Sequence, residues 1–227
     1  MAYIIHLETS TKACSVALSS SGKLLDFTTE STDSYAHSER LNSIISDLLK
    51  RNKVWFEDLS AVSISSGPGS YTGLRIGVST AKGLCFALEI PMIAIDSLSA
   101  LAYFSKHQNI EFSNLILTAI DARRMEAYTA LFDSHLYVVK PVSADIFSED
   151  YLSEIYDNIS IMVVGDAQEK CLEIWKHRKN IKFSSISSDA RGQIEPAYKK
   201  FVNQDFSDLV YFEPAYFKDF QPGVKSK

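Results

Sequence analysis

Ser66-Gly67-Pro68-Gly69-Ser70-Tyr71-Thr72-Gly73-Leu74-Arg75-Ile76-Gly77 holds four of the nine glycines in this 227-residue chain, and Gly83 follows closely. Residues 61–65, just before it, read as a buried strand. Residues 72–88, which overlap it, read as a helix, with Leu74, Val78, Ala81, Cys85 and Leu88 in one apolar row. The unit is strand, glycine loop, helix. Such a loop can cradle an anion, because glycine lets backbone N–H groups come close at a helix N-terminus. It is not a Walker loop, since no Gly-Lys-Ser/Thr follows at the required spacing. Within the helix, Gly73, Gly77 and Ala81 recur every four residues. A helical glycine costs about 1 kcal/mol relative to alanine, so the strip needs a close neighbour. That neighbour is either internal, such as the helix of residues 41–49, or another subunit.

Upstream, residues 3–7 read as a strand, Glu8-Thr9-Ser10-Thr11-Lys12 as a polar turn, and 15–18 and 24–28 as two more strands. Leu41, Ile44, Ile45, Leu48 and Leu49 have the spacing of an amphipathic helix. Downstream come a strand at 92–95 and a helix at 98–104. The second half repeats the grammar. Strands are expected at 115–120, 127–132 and 137–139, with the turn Asp121-Ala122-Arg123-Arg124 between the first two. A helix near 149–156, a strand at 161–164 and helices near 169–178 and 190–202 follow.

When Glu8 is laid on Asp121, Val16-Ala17-Leu18 falls on Thr129-Ala130-Leu131. An accidental match of two unrelated β-meanders is one reading. A diverged duplication would instead give an α/β protein of two similar lobes, each a mixed β-sheet flanked by helices. The expected division is 1–106 for an N-terminal lobe with partner-binding helices and 107–227 for a C-terminal lobe. The last helix is free to return to the first lobe.

Composition narrows the function. Apolar residues make up 46 % and charged residues 22 %, which suits a globular core, and the net charge is −5. A free-standing nucleic-acid binder is usually basic, so tight RNA binding by this chain alone is not expected. Cys14, Cys85 and Cys171 are isolated and suit buried thiols in a reducing compartment. No leader-like or membrane-spanning run is evident, so the expectation is a cytoplasmic location with no membrane contact.

Glu8 and Asp121 close matching strands and could be the acids of a nucleotide site between lobes. Strand-end carboxylates also cap turns. Arg123 and Arg124 could grip a phosphate or simply form a solvated turn. The five histidines give no HxxH, HxxxH or HExxH, and no GxSxG is present.

Taken in order, Ile4-Ile5-His6-Leu7-Glu8-Thr9-Ser10-Thr11, His37-Ser38-Glu39-Arg40-Leu41, the glycine run above, Ala81-Lys82-Gly83-Leu84 and Asp121-Ala122-Arg123-Arg124-Met125-Glu126 resemble the TsaB (YeaZ) family. The likeness is dense over residues 1–132 and returns at Pro214-Ala215-Tyr216. It implies the actin-like ATPase (ASKHA) fold. It implies a non-catalytic partner of TsaD that works with TsaE. Together they attach threonylcarbamoyl, from threonylcarbamoyl-adenylate, to the adenosine beside the anticodon in tRNAs reading codons that begin with A. The metal and nucleotide are expected in TsaD, and no cofactor is expected in this chain alone.

TsaD-like chains carry an HxxxH metal pair after the strand that follows the glycine helix. Here Ser97 and Leu101 stand at those places, and neither is a useful transition-metal ligand. Ser97 is expected as an N-cap, Leu101 as core, and His37 as structural or interfacial. The resemblance also implies pairing through the amino-terminal helices, with TsaD or with a second copy, and tRNA contact only through the complex. The expected partner interface is His37, Leu41, Ile45, Tyr71, Gly73, Arg75, Gly77 and Ala81. A vestigial nucleotide site would comprise Glu8, Thr9, Ser10, Asp121 and Arg123. Two other readings are an autonomous ATPase or phosphotransferase of the same fold, and a metallopeptidase-like protein.

Overall fold

The structure, a computed structural model, describes residues 1–31, 37–108, 114–151 and 159–217. The helix expected near 149–156 falls mostly outside the described residues. Strands β1 (Tyr3–Glu8), β2 (Ala13–Ser20) and β3 (Lys23–Ser31) form an antiparallel meander. Helix α1 (His37–Asn52), β4 (Leu59–Ser65), α2 (Tyr71–Leu88) and β5 (Met92–Ile95) complete the first half. Its sheet order is β3-β2-β1-β4-β5, with β4 parallel to both neighbours.

After α3 (Ser97–Lys106), the pattern recurs as β6 (Leu115–Asp121), β7 (Glu126–Asp133), β8 (Val138–Ile146), β9 (Ile161–Val164), α4 (Gln168–Trp175) and β10 (Ile181–Ser184). This sheet runs β10-β9-β6-β7-β8, the same topology as the first. A 3-10 turn, Ala190–Gln193, leads into α5 (Ile194–Val202). The two lobes are thus alike, but the residue alignment needs one correction. Glu8 pairs with Ser15 whereas Asp121 pairs with Ala127. Leu7, which pairs with Val16, faces α2, and Ala119, which pairs with Thr129, faces α4. Val16-Ala17-Leu18 therefore does correspond to Thr129-Ala130-Leu131, and it is Glu8 that falls on Ile120 and not on Asp121. In a strand a one-residue slip exchanges the two faces.

Alternation along β1 sends Ile5 and Leu7 to one side and Ile4 to the other. Ile5 and Leu7 join Leu41, Ile45, Leu48, Val78 and Ala81 under α1 and α2. Ile4 meets Ala61, Ile93 and Ala197 of α5. On the second sheet, Leu117 and Val163 face Cys171 and Trp175 of α4, and Ile116 and Val164 face Leu98 and Leu101 of α3. So α3, which precedes β6, lies on the second sheet, and α5, the last described helix, lies on the first. Burial of these side chains, at roughly 25 cal/mol per Å² of apolar surface, is the main force holding the layers.

Two expectations about α3 and its surroundings change. Asp96, not Ser97, caps the helix: its side chain accepts from Ser99 N–H at 2.7 Å. Ser97 instead joins the helix to the glycine loop. Strand β8 is also longer than residues 137–139. Its register is irregular against β7, and it carries Pro141, a residue tolerated at a sheet edge because it lacks an N–H.

Candidate functional site

The glycine loop sits where three chain segments cross. Four of its backbone donors are engaged by the protein itself. Ser66 N–H donates to Ile95 O at 2.8 Å and Gly67 N–H to Ser97 Oγ at 3.2 Å. Ser70 N–H donates to Ser10 O at 2.6 Å, and Gly73 N–H to Ser70 Oγ at 3.3 Å. Gly67 and Gly69 serve close crossings. A Cβ on Gly69 would collide with Ser10 O, and one on Gly67 would stand 2.6 Å from Ala215 O.

The strip inside α2 is explained in the same way. A Cβ on Gly73 would run into Thr9 O, and one on Gly77 into Thr9 Oγ1 and Ile64 Cδ1. Thr9 Oγ1 donates to Gly73 O at 2.8 Å. Gly73 and Gly77 therefore face the β1–β2 turn and the sheet, with Thr9 as their close neighbour, and Ala81 is buried in the core that α1 shares. Leu41 and Ile45 are likewise buried in the lobe. Of the residues expected at a partner interface, Tyr71 and Arg75 are exposed. His37 opens α1, and its side chain lies outside the described residues.

The outer face of α2 has its own character. Thr72, Ser79, Gly83, Phe86 and Ala87 are exposed. A Cβ on Gly83 would meet nothing within 4 Å, so no packing within the described chain explains that glycine. Phe86 is 80 % exposed. Beside it, Lys82 Nζ donates to Val210 O at 3.1 Å, which brings Val210 (74 % exposed) and Tyr211 (82 %) to the same face. Sequence reading missed these three apolar residues. The signal was available for Phe86, which lies off the buried row of its helix, and not for the other two, which belong to no periodic element.

Residues 207–217 form a strap over this half. Ser207 N–H donates to Met92 O at 2.9 Å, and Ala215 N–H to Ser66 O at 2.8 Å. The Tyr216 ring lies 5.0 Å from that of Tyr71, which also carries the Arg75 guanidinium at 4.3 Å. Arg75 Nε donates to Tyr216 OH at 3.3 Å. Phe217 reaches Tyr128 of the second sheet, with ring centroids 6.3 Å apart. The two stretches quoted for the family likeness, around Tyr71 and around Tyr216, thus meet in space.

The five residues proposed for a nucleotide fall into two separate groups. Glu8 is fully buried, and burial pushes its carboxyl above the usual range, against hydrogen bonds that pull it down. Its Oε1 accepts from Ser10 N–H at 2.8 Å and its Oε2 from Gln193 Nε2 at 3.4 Å. Thr9 and Ser10 lie under the glycine loop. Asp121 is exposed and pairs with Lys170 at 2.6 Å, and its Oδ1 accepts from Arg123 N–H at 2.6 Å. Arg123 and Arg124 are exposed turn residues with φ of 68° and 51°.

The metal pair implied by the TsaD likeness does not fit these residues. Ser97 and Leu101 are both fully buried, the Ser97 oxygen is taken by Gly67 N–H, and Leu101 packs against the second sheet. Among the described residues, no group of three or more His, Cys, Asp or Glu could hold a metal, and no helix is long and apolar enough to cross a membrane.

Two like sheets, each flanked by helices on both faces, define an actin-like ATPase fold, and solved proteins of that fold superpose on this chain. A family profile described as TsaD, tRNA N6-adenosine threonylcarbamoyltransferase, matches residues 30–225. The chain belongs to this family, in its TsaB (YeaZ) branch. It is 35 % identical over 128 residues to the tRNA threonylcarbamoyladenosine biosynthesis protein TsaB of Escherichia coli, covering 56 % of this chain and 53 % of that one. It is 43 % identical over 96 residues to the Bacillus subtilis protein of the same name, covering 42 % and 40 %. The matches span about half the length of these curated relatives. YeaZ from Pseudomonas aeruginosa superposes with a TM-score of 0.80 at 24 % identity, over 95 % of this chain and all of that one.

Proposed function

We propose that this chain is the non-catalytic TsaB subunit of a tRNA threonylcarbamoyladenosine system. In this reading it binds TsaD, together with TsaE, and supports transfer of threonylcarbamoyl from threonylcarbamoyl-adenylate to the adenosine beside the anticodon. The observation that carries it is the pair Ser97 and Leu101, buried and otherwise engaged where a TsaD-like chain holds its metal. A member of the family without that pair assists chemistry done elsewhere. The metal and nucleotide then belong to TsaD, and tRNA meets this chain only within the complex.

The outer face of α2 is the better candidate for the partner surface. Gly83 leaves room for another backbone, Tyr71 and Arg75 lie at one end, and Phe86, Val210 and Tyr211 supply exposed apolar area at the other. Aromatic and arginine side chains are the usual anchors of such interfaces. Without TsaD, the same face would pair two copies of this chain.

The test is reconstitution. Purified chain, TsaD and TsaE should modify tRNA, and omission of this chain should abolish modification. Phe86→Asp should lose TsaD in a size measurement while keeping the wild-type melting temperature. Modification that proceeds equally well without the chain would overturn the reading. Full TsaD binding by Phe86→Asp would move the interface elsewhere.

A further inference from the structure

Away from α2, a groove of about 400 Å³ opens between the β2–β3 turn, the end of α3 and the start of α5. Small-ligand sites run from roughly 300 to 1,000 Å³, so this one suits a compact molecule. Leu24, Phe104 and Ile194 give it apolar walls, and Arg191 and Glu195 line it as well.

Arg191 is held in place. Its Nε and Nη2 donate to the two oxygens of Asp189 at 2.8 and 3.0 Å. The rings of Phe27 and Phe104 lie 3.7 and 4.7 Å from its Cζ. Asp189 is fixed in turn, accepting from Thr29 Oγ1 at 2.7 Å and from Arg191 N–H at 2.9 Å. A guanidinium offers five N–H donors. The pairing with Asp189 leaves Nη1 with no hydrogen bond among the described residues. Such a group is an oriented donor whose entropy cost has already been met in folding.

Glu195 lies four residues further on, in the first turn of α5. It is well exposed, and its ion-pair contact among the described residues is His107 Nε2 at 3.6 Å, too long for a hydrogen bond. The charge balance limits what the groove can take. Asp189 already offsets Arg191, and Glu195 adds a negative charge at the rim, so an anion alone gains little. A cation alone would meet the guanidinium. A molecule with both charges on a short apolar body satisfies both groups.

We propose that this groove binds a small zwitterion, an α-amino acid with an aliphatic side chain. Its carboxylate accepts from Arg191 Nη1, its ammonium donates to Glu195, and its side chain rests on Leu24 and Ile194. The proposal is independent of the partner surface on α2.

The test is a methyl NMR titration of the whole chain with L-leucine, 4-methylpentanoic acid and 3-methylbutylamine as probes. L-leucine should shift the Leu24 and Ile194 methyl signals saturably, and each single-charge analogue should bind at least about tenfold more weakly. Arg191 is part of the packing and its loss could unfold this corner, so the informative variant is Glu195→Gln. It should keep the wild-type melting temperature and bring L-leucine down to the level of the acid. No shift at tens of millimolar L-leucine, equal binding of either analogue, or unchanged L-leucine binding by Glu195→Gln would each overturn the proposal.

Discussion

Thr9 Oγ1 donates to Gly73 O at 2.8 Å, and the Thr9 carbonyl stands where a side chain on Gly73 would have to be. The first turns of α2 therefore rest directly on the β1–β2 turn, backbone against backbone. Gly73→Ala should cost about 2–3 kcal/mol or prevent folding, as overpacking in a rigid core does. Gly83→Ala should do the reverse and stabilise by about 0.5–1 kcal/mol, since nothing opposes its methyl group and the helix gains propensity. Urea denaturation of both variants checks this contrast, and equal responses would contradict it.

His6 is fully buried in β1, with Nε2 2.8 Å from Ser19 Oγ and, among the described residues, no hydrogen-bond partner for Nδ1. Burial lowers its pKa from 6.5 to about 3. The ring is neutral in the fold and takes a proton more readily once unfolded. Its contribution is complete above pH ~6.5 and is lost as the pH falls toward about 3, a loss on the order of a few kcal/mol. His6→Gln should flatten the fall in stability between those limits relative to wild type. Parallel denaturation curves at stepped pH would reveal it.

Glu8 behaves with the opposite sign. Burial raises its pKa, so the folded state holds the proton more tightly than the unfolded chain does. That contribution is complete below the ordinary carboxylate pKa and fades as the pH rises through the raised value. Glu8→Gln keeps an oxygen for Ser10 N–H and removes the ionisation. It should stabilise the protein at neutral pH by about 1 kcal/mol and make no gain in acid. A loss of stability at pH 7 would show that the carboxylate is ionised and held by its hydrogen bonds.

Restoring imidazoles at the TsaD positions should not restore a metal site. Ser97→His with Leu101→His would enlarge one buried residue, orphan Gly67 N–H and place a polar ring against the second sheet. The double variant should be destabilised by about 3 kcal/mol or more and should carry no stoichiometric zinc or iron after dialysis. Metal analysis beside a melting curve decides it.

The sheets and most helices were legible because their signals are local. Alternation marks β1, β2, β6 and β7, and the row Leu41 to Leu49 marks α1. Strand β10 was not legible: four residues, only one of them buried, leave no pattern. The glycine strip was legible as a close contact, but its direction was not. Helical spacing says which residues share a face, and only the fold shows that Thr9 arrives there. The same limit hid the outer patch, since Val210 and Tyr211 reach α2 through a segment without periodicity. Glu8 and Asp121 looked like repeats, yet they point to opposite faces: Glu8 is buried toward Gln193 of the 3-10 turn, and Asp121 is exposed beside Lys170 of α4.

The exchange of helices between the sheets bears on how this molecule can be dissected. Cut near residue 107, the leading fragment would carry α3 without Ile116 and Val164 beneath it, and would expose Ile4 and Ile93 where α5 belongs. Neither piece would be a self-sufficient module. Truncations, split reporters and grafted halves should therefore keep both crossovers on one polypeptide, despite the twofold repetition that makes a midpoint scission look natural.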